Sequence, residues 1–307
     1  MKDWPEVSVI IPTCNSARFI RAALESVLAQ RYSDFEVIVV DDASRDDTPR
    51  IVEEYGPRVR LLRRENNSGS ADIPRYEAVA RSGGRWCAFL DADDLWEPEK
   101  LERQVEFMRA HPEVQLSHTY ARIIDEEGRP DGIRHEGVIP PTGMIARDLL
   151  RHCFICTSSV MVQREAWLRA QRPETLGGYG TEWDFFLSIA RQSPVGFIPE
   201  ALTRYRRHSG SVSRGDWRRR PRDLGAKRRI YRKGLWRGVI PRREMWAIIR
   251  EAAWENAEHY RGQGAWRRGM YFGLVGLAYG PWDCRLWGSL FKSLLGPLRG
   301  RVVKEDH

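Results

Sequence analysis

Three carboxylates stand within four positions at Asp91-Ala92-Asp93-Asp94, directly after the apolar run Trp86-Cys87-Ala88-Phe89-Leu90. Such a run reads as a buried strand. Carboxylates crowded at its exit repel one another unless a cation sits among them. The stretch therefore predicts a divalent metal that holds a phosphorylated ligand. The competing reading is a loop leading into the helix that Glu97-Pro98 opens. A second acidic exit, Asp41-Asp42, follows the apolar run Phe35-Glu-Val-Ile-Val-Val40. Open α/β folds bind ligands outside the carboxyl ends of parallel strands, so two acidic exits on one edge face one crevice.

The elements that must position these groups alternate. Residues 7–11 form a strand ended by Pro12, and Asn15 or Ser16 can cap the next helix. That helix shows apolar residues at Phe19, Ile20, Ala23, Leu24, Val27 and Leu28, which is helical spacing. Residues 35–40 are a second strand, and Asp46, Asp47 and Pro49 open a helix that stops at Gly56. A strand over 59–62, a helix over 73–80 and the strand over 86–90 follow, then a helix over 97–110. Strand–helix alternation predicts an α/β fold with a mostly parallel, doubly wound sheet flanked by helices. Beyond Pro112 the pattern predicts strands over 114–124, 158–162 and 195–198, with another over 202–205. A turn-rich connection over 125–132 and a helix over 183–191 complete it. The chain reads as helical after Gly215, for example over 243–260.

Charge divides the chain near the same point. Residues 1–213 carry 28 Lys+Arg against 33 Asp+Glu, whereas residues 214–307 carry 22 against 9 and hold 7 of the 12 Trp. Two regions follow: 1–213, itself divided into halves of about 1–112 and 113–213 where the strand–helix pattern weakens, and a basic, Trp-rich helical extension over 214–307. Such an extension suits an anionic surface or ligand, or packs on the rest with its arginines solvated. Its longest apolar run, residues 270–279, is too short to span a bilayer. The five Cys are scattered, no secretory leader pattern opens the chain, and the expected location is the cytoplasm, at the inner face of the membrane. Cys153 and Cys156 have redox or zinc spacing without a complementary pair.

An ordered set of segments resembles glycosyltransferase family 2, inverting enzymes with a GT-A fold. The segments are Val7-Ser-Val-Ile-Ile-Pro-Thr-Cys-Asn15, Ser26-Val-Leu-Ala-Gln30, Val39-Val-Asp-Asp-Ala-Ser44 with Asp47-Thr48, and Phe89-Leu-Asp-Ala-Asp-Asp-Leu-Trp96. Residues 178–187 and Tyr205-Arg-Arg-His-Ser-Gly-Ser-Val-Ser213 continue it, so it covers roughly 5–213 and leaves the extension out.

The resemblance implies a nucleotide-sugar donor, a UDP-sugar, and a glycan or lipid-linked acceptor in surface polysaccharide or glycoconjugate synthesis. It implies Mg²⁺ or Mn²⁺ on the donor diphosphate, with Asp93 as metal ligand of the DxD motif, Asp91 contacting the ribose or the metal through water, Ala92 between them, and His208 approaching the metal or the diphosphate. Asp42, with Asp41 second, matches the acceptor of a hydrogen bond from the base. Pro12, Thr13, Cys14 and Asn15 match a wall of the nucleotide pocket, with Cys14 where the family usually carries Tyr or Phe. Arg75 matches an arginine near the pyrophosphate. Glu182 falls on the position of the catalytic base, with Asp184 as the second candidate, and Trp183 would form an acceptor wall. Competing readings are a degenerate donor-binding protein and a sugar nucleotidyltransferase, though the latter needs a Gly-rich phosphate loop that residues 12–16 do not supply. The extension implies peripheral membrane contact, and no specific nucleic acid is expected.

Overall fold

Val7–Thr13 (β1) and Phe35–Asp41 (β2) are near-continuous apolar runs, buried along most of their length. Strands of that composition are hidden only when helices cover both faces of the sheet. In the computed structural model, which describes residues 4–134, 137, 139–170, 181–210 and 224–299, they pair in parallel from Val7↔Phe35 to Thr13↔Asp41. Arg60–Arg63 (β3) extends the sheet beyond β2, and Trp86–Phe89 (β4) joins the other side of β1, both in parallel. The helices between them are Ile20–Leu28 (α1), Thr48–Glu53 (α2) and Asp72–Arg81 (α3). In α1 the buried residues Ile20, Ala23, Leu24 and Val27 form one stripe at i, i+3, i+4, i+7. The chain thus moves outward from β1 to β3 and then jumps back across β1 to β4. That reversal opens a crevice at the carboxyl ends of β1 and β4. Gly84 makes the jump possible, because a Cβ there would meet the Ser8 nitrogen at 2.6 Å.

Beyond β4 the sheet becomes mixed. Its further strands are Leu95–Trp96 (β5), Leu116–Ile124 (β6), Pro130–Ile133 (β7), Met161–Gln163 (β8) and Val195–Arg206 (β9). The order is β3-β2-β1-β4-β8-β6-β9-β5, with β7 paired to β6. β8 lies antiparallel to both β4 and β6, β9 runs parallel to β6, and β5 closes the edge antiparallel to β9. The remaining helices of this part are Lys100–Ala110 (α4), Ala146–Arg151 (α5), Arg164–Ala170 (α6) and Thr181–Ala190 (α7).

Three details differ from the sequence reading. The turn-rich stretch 125–132 includes the start of β7, whose Pro130-Asp-Gly has little strand propensity and pairs only because β6 offers an edge. Residues 195–206 are one strand, in which the exposed Pro199-Glu200 is absorbed by register shifts against Thr119 to Ala121. The short helices α5 and α6 have too few residues to show a period.

The chain divides into two compact units, Met1–Ser211 and Val212–His307. The second comprises Leu224–Lys233 (α8), Arg242–Gly262 (α9), Trp266–Leu277 (α10) and Cys284–Arg299 (α11). Glycines let its helices close up: a Cβ on Gly276 of α10 would stand 2.7 Å from Leu286 of α11 and 2.9 Å from Ala253 of α9. Its surface exposes Trp282, Trp287, Phe291 and Leu294, with Tyr271 and Leu274 on α10. Among the described residues, no helix is long and apolar enough to cross a membrane.

Candidate active site

The loops leaving β1 and β2 are tied to each other. The Asn15 N–H donates to Ser44 Oγ at 2.8 Å, and the Arg45 N–H donates to Asn15 Oδ1 at 2.8 Å. Ser16 and Ala17 donate their N–H groups to Thr48 Oγ1 and Asp46 Oδ2. Asn15 therefore ties the loops and leaves the start of α1 to the Ser16 carbonyl. Asn15 (φ +50°) and Ala43 (φ +58°) both hold left-handed backbone. For alanine that conformation costs about 1–2 kcal/mol, a strain that clusters at functional sites.

Within this lip Asp42 is heavily committed. Its carboxylate accepts the Ser68 N–H at 3.0 Å and the Ser68 hydroxyl at 2.8 Å, and forms an ion pair with Arg64, whose Nε lies 2.8 Å away. Asp41 accepts the Ser44 N–H through Oδ2, but its buried Oδ1 has no hydrogen-bond partner. The neighbouring Thr13 Oγ1, on the residue paired with Asp41, is also buried and unpartnered. Two adjacent orphaned atoms at a strand exit are what a ligand-binding edge leaves open. Cys14 stands half-buried beside them, 3.1 Å from Asn67 Nδ2. Burial, then the charges of Asp42 and Asp41, push its thiol pKa up, so it stays neutral. Pro12 lies inside β1, opposite Val40.

The exit of β4 is organised around Ser158, a residue with no signal in the sequence. Its hydroxyl donates to Asp94 Oδ2 at 2.5 Å and accepts the Asp91 N–H at 3.0 Å, while its carbonyl accepts Trp96 Nε1 at 2.7 Å. Asp94 also accepts the Arg206 N–H at 2.8 Å. Burial, then Asp93 and Asp91, hold its pKa well above the usual carboxylate range. Asp94 is thus a structural acid, and Ala92 beside it is buried.

Asp91 and Asp93 have other partners. Asp91 Oδ1 accepts Arg75 Nη2 at 2.9 Å, and Arg75 Nη1 donates to Asp72 Oδ1 at 2.8 Å. Arg75 is 3% exposed, with its guanidinium over the Phe89 ring. Burial raises the Asp91 pKa, Arg75 opposes it, and Asp93 adds to it. Asp93 Oδ2 lies 2.9 Å from His208 Nε2. Gly210 donates its N–H to His208 Nδ1, which assigns the ring proton to Nε2. Arg206 Nε donates to the Asp93 carbonyl at 2.8 Å, so the residues ending β9 fasten the acidic loop, while Arg207 pairs outward with Asp131.

Glu182 enters from the first turn of α7. Burial, then the Asp72 charge, push its carboxyl up to about 7, with Arg75 opposing and Asp91 adding. Glu182, Asp72 and Asp91 therefore gather electrostatically around one buried guanidinium. Asp184, also buried, lies about 200° further round the helix. Trp183 is 2% exposed and donates Nε1–H to the Leu149 carbonyl at 2.7 Å. It is a core residue joining α7 to α5 and presents no face for an acceptor wall. Residues 171–180, the Thr181 side chain and residues 211–213 lie outside the described residues, so those parts of the sequence motifs have no placement.

Asp72, Arg64 and Ser68 are partners of the candidate residues Arg75 and Asp42 that the sequence reading missed. Asp72 had one signal: it stands three residues before Arg75, on the same helix face.

The model of the family described as glycosyl transferase family 2 matches residues 8–170. A Bacillus subtilis protein, TuaG, whose name places it in teichuronic acid biosynthesis, is 34% identical over 226 residues, covering 71% of this chain and 86% of that one. Other relatives are longer, and the chain spans 33% to 34% of two Rickettsia glycosyltransferases. Among solved structures, S. aureus TarS 1-349 in complex with UDP-GlcNAc superposes with a TM-score of 0.63 at 21% identity, covering 95% of this chain and 81% of that one. The mannosyltransferase PcManGT from Pyrobaculum calidifontis, in complex with GDP-Man and Mn²⁺, gives 0.56 at 19% identity, covering 99% and 89%. These structures share the mixed sheet with flanking helices, the GT-A arrangement. With more than half of its length matched by the family and a relative at this identity, the chain belongs to glycosyltransferase family 2 and is a glycosyltransferase.

Proposed function

We propose that the enzyme transfers a sugar, with inversion, from a UDP-sugar to a hydroxyl of a glycan or lipid-linked acceptor in surface polysaccharide synthesis. The observation that carries this reading is the Glu182 carboxyl, raised to about 7 and electrostatically joined to Asp91 through Arg75. A general base works best with a pKa near the operating pH. Glu182 takes the proton of the acceptor hydroxyl as its oxygen bonds the anomeric carbon. The bond from that carbon to the diphosphate breaks, and the nucleoside diphosphate leaves with the electron pair. Asp184 faces another side of α7, which favours Glu182 as the base. The base pocket is the tied lip of Cys14, Asn15, Asp41 and Asp42, with Thr13 at its floor. The names of TuaG and TarS support a polymer pathway and a uridine donor.

The donor set fits a divalent cation, Mg²⁺ or Mn²⁺. Asp93 and His208 are in hydrogen-bond contact, and Asp91 and Asp93 repel each other. Among the described residues no cluster of three such side chains is ready to hold a metal, and Asp93, with Asp91 beside it, would hold the ion. Such an ion, when bound, offsets charge on the departing diphosphate. His208 and Arg206 keep Asp93 in place for it.

The second unit supports a membrane-surface role. Trp287, Phe291 and Leu294 recur at i, i+4, i+7 on α11, all exposed, with Lys292 beside them. An apolar stripe on a strongly basic unit is the makeup of a helix lying on anionic lipid.

A screen of nucleotide sugars with Mn²⁺, read as thermal stabilisation and then as nucleotide release, tests the central reading. A UDP-sugar should both stabilise and turn over, and Asp93→Ala should lose the metal-dependent turnover. Stabilisation by no nucleotide sugar, or full rate in Asp93→Ala, defeats it.

A further inference from the structure

Lys100, the first residue of α4, is wholly buried, and its Nζ has no hydrogen-bond partner. The amine stands over the Trp96 ring, 3.7 Å from its centre. Burial pushes the Lys100 pKa well below its usual 10.5, and no charged group acts on the amine to oppose this. The charges nearby in the chain are paired elsewhere: Glu97 with Arg204 of β9, Glu99 with Arg31, and Arg103 with Glu200. A methionine would fill much the same space without the cost of burying an amine. The amine is therefore kept for something other than packing.

Trp96 carries that contact to the acidic loop. Its ring is buried and donates Nε1–H to the Ser158 carbonyl at 2.7 Å. Ser158 in turn donates its hydroxyl to Asp94 and accepts the Asp91 N–H. Gln104 lies one turn along α4 on the same face as Lys100. Its Nε2 donates to the Ser159 carbonyl and to Ser117 Oγ, both at 3.1 Å. One face of α4 thus grips two consecutive residues, Ser158 through the Trp96 ring and Ser159 directly. Apolar packing alone is non-directional and leaves a ring free to tilt. The negative face of an indole attracts an amine above it, most strongly as the cation, and so fixes the ring's orientation.

We infer that Lys100 is a positioning residue for the acidic loop: its amine fixes the Trp96 ring, and the ring fixes Ser158, which holds both Asp91 and Asp94. Lys100 acts only through this relay. The inference rests on the proposed role of Asp93 and Asp91 at a divalent cation.

Mn²⁺ binding to the full chain in saturating UDP, followed by electron paramagnetic resonance of the free ion, tests the relay, together with melting at pH 7 and pH 10. Lys100→Met should weaken Mn²⁺ binding about tenfold, the lower end of what residues supporting metal ligands contribute, with UDP affinity in the absence of metal unchanged. The folded pKa of Lys100 lies below the unfolded 10.5, so the unfolded chain binds the extra proton and the parent gains stability as pH rises through that window. The melting point of Lys100→Met relative to the parent should therefore be lower at pH 10 than at pH 7. Trp96→Phe keeps a ring and loses the bond to Ser158. It should weaken Mn²⁺ binding as well, and adding Lys100→Met to it should cost little more, because the two act in series. Unchanged Mn²⁺ affinity in Lys100→Met, additive losses in the double variant, or the same relative melting point at both pH values overturns the role. If Lys100→Met fails to fold, Trp96→Phe decides, and Mn²⁺ affinity equal to the parent's overturns the relay. If the parent with UDP takes up no Mn²⁺, the donor reading fails instead, and the same double-variant comparison read in melting decides the relay: additive shifts overturn it.

Discussion

Arg75 places one guanidinium nitrogen 2.9 Å from Asp91 and the other 2.8 Å from Asp72, with almost none of its own surface exposed. Replacing it with methionine keeps the length and removes the charge. Two carboxylates then lose their buried cation, a loss of about 3–5 kcal/mol in such pairs. Urea denaturation of Arg75→Met measures it. A stability within 1 kcal/mol of the parent, on the scale of ordinary surface changes of about ±0.5 kcal/mol, contradicts the assignment.

Glu182→Gln keeps the shape and removes the base. Turnover should fall by about 10²–10⁴-fold with UDP affinity unchanged. In the parent, kcat/KM should rise with pH up to about 7 and then level, because the ionised carboxylate is the active form. That limb should vanish in Glu182→Gln and persist in Asp184→Asn. The opposite pattern moves the base to Asp184.

The same carboxyl has a stability signature. Its folded pKa is raised above the ordinary value, so its ionisation costs stability as pH climbs from about 4 to 7, and the cost is complete above that. Glu182→Gln should therefore melt higher than the parent at pH 8 and alike at pH 4. Identical melting shifts at both values rule out a raised pKa.

Ser158→Ala removes the hydroxyl that donates to the Asp94 carboxylate and accepts the Asp91 N–H. A buried group left unpaired costs about 1–3 kcal/mol. The thermal midpoint should fall accordingly, and metal-dependent turnover should fall with it, because the Asp91–Asp93 loop loses its anchor. An unchanged midpoint would falsify the anchoring role.

Replacing Trp287 and Phe291 together by serine should release the protein from phosphatidylglycerol vesicles in co-sedimentation, with nucleotide-sugar turnover in solution retained. Retention on the vesicles points to charge alone, and high salt then releases it.

Strand–helix alternation and the order of acidic exits were legible in the sequence because both are local. A buried strand needs an apolar run, and Asp41-Asp42 and Asp91 to Asp94 follow such runs directly. What was not legible depends on distant pairing. Ser158 reaches Asp94 across 64 positions, and Arg206 reaches it across 112. β7 exists because β6 offers an edge, and no local propensity marks it. Trp183 shows the reverse limit. Beside a candidate base it reads as an acceptor wall, but its partner at Leu149 draws it into the core.

The lip at β1 and β2, proposed above as the base pocket, bears on how the enzyme would choose its nucleotide. Asn15, Ser16 and Ala17 are bonded to Ser44, Thr48 and Asp46, so neither loop can open without breaking bonds to the other. The incoming base meets a wall already set before it arrives. Little ordering entropy remains to be lost there, so discrimination between bases falls to fixed fit instead of closure. On the proposed reading, selection among bases therefore precedes any influence of the sugar or the acceptor.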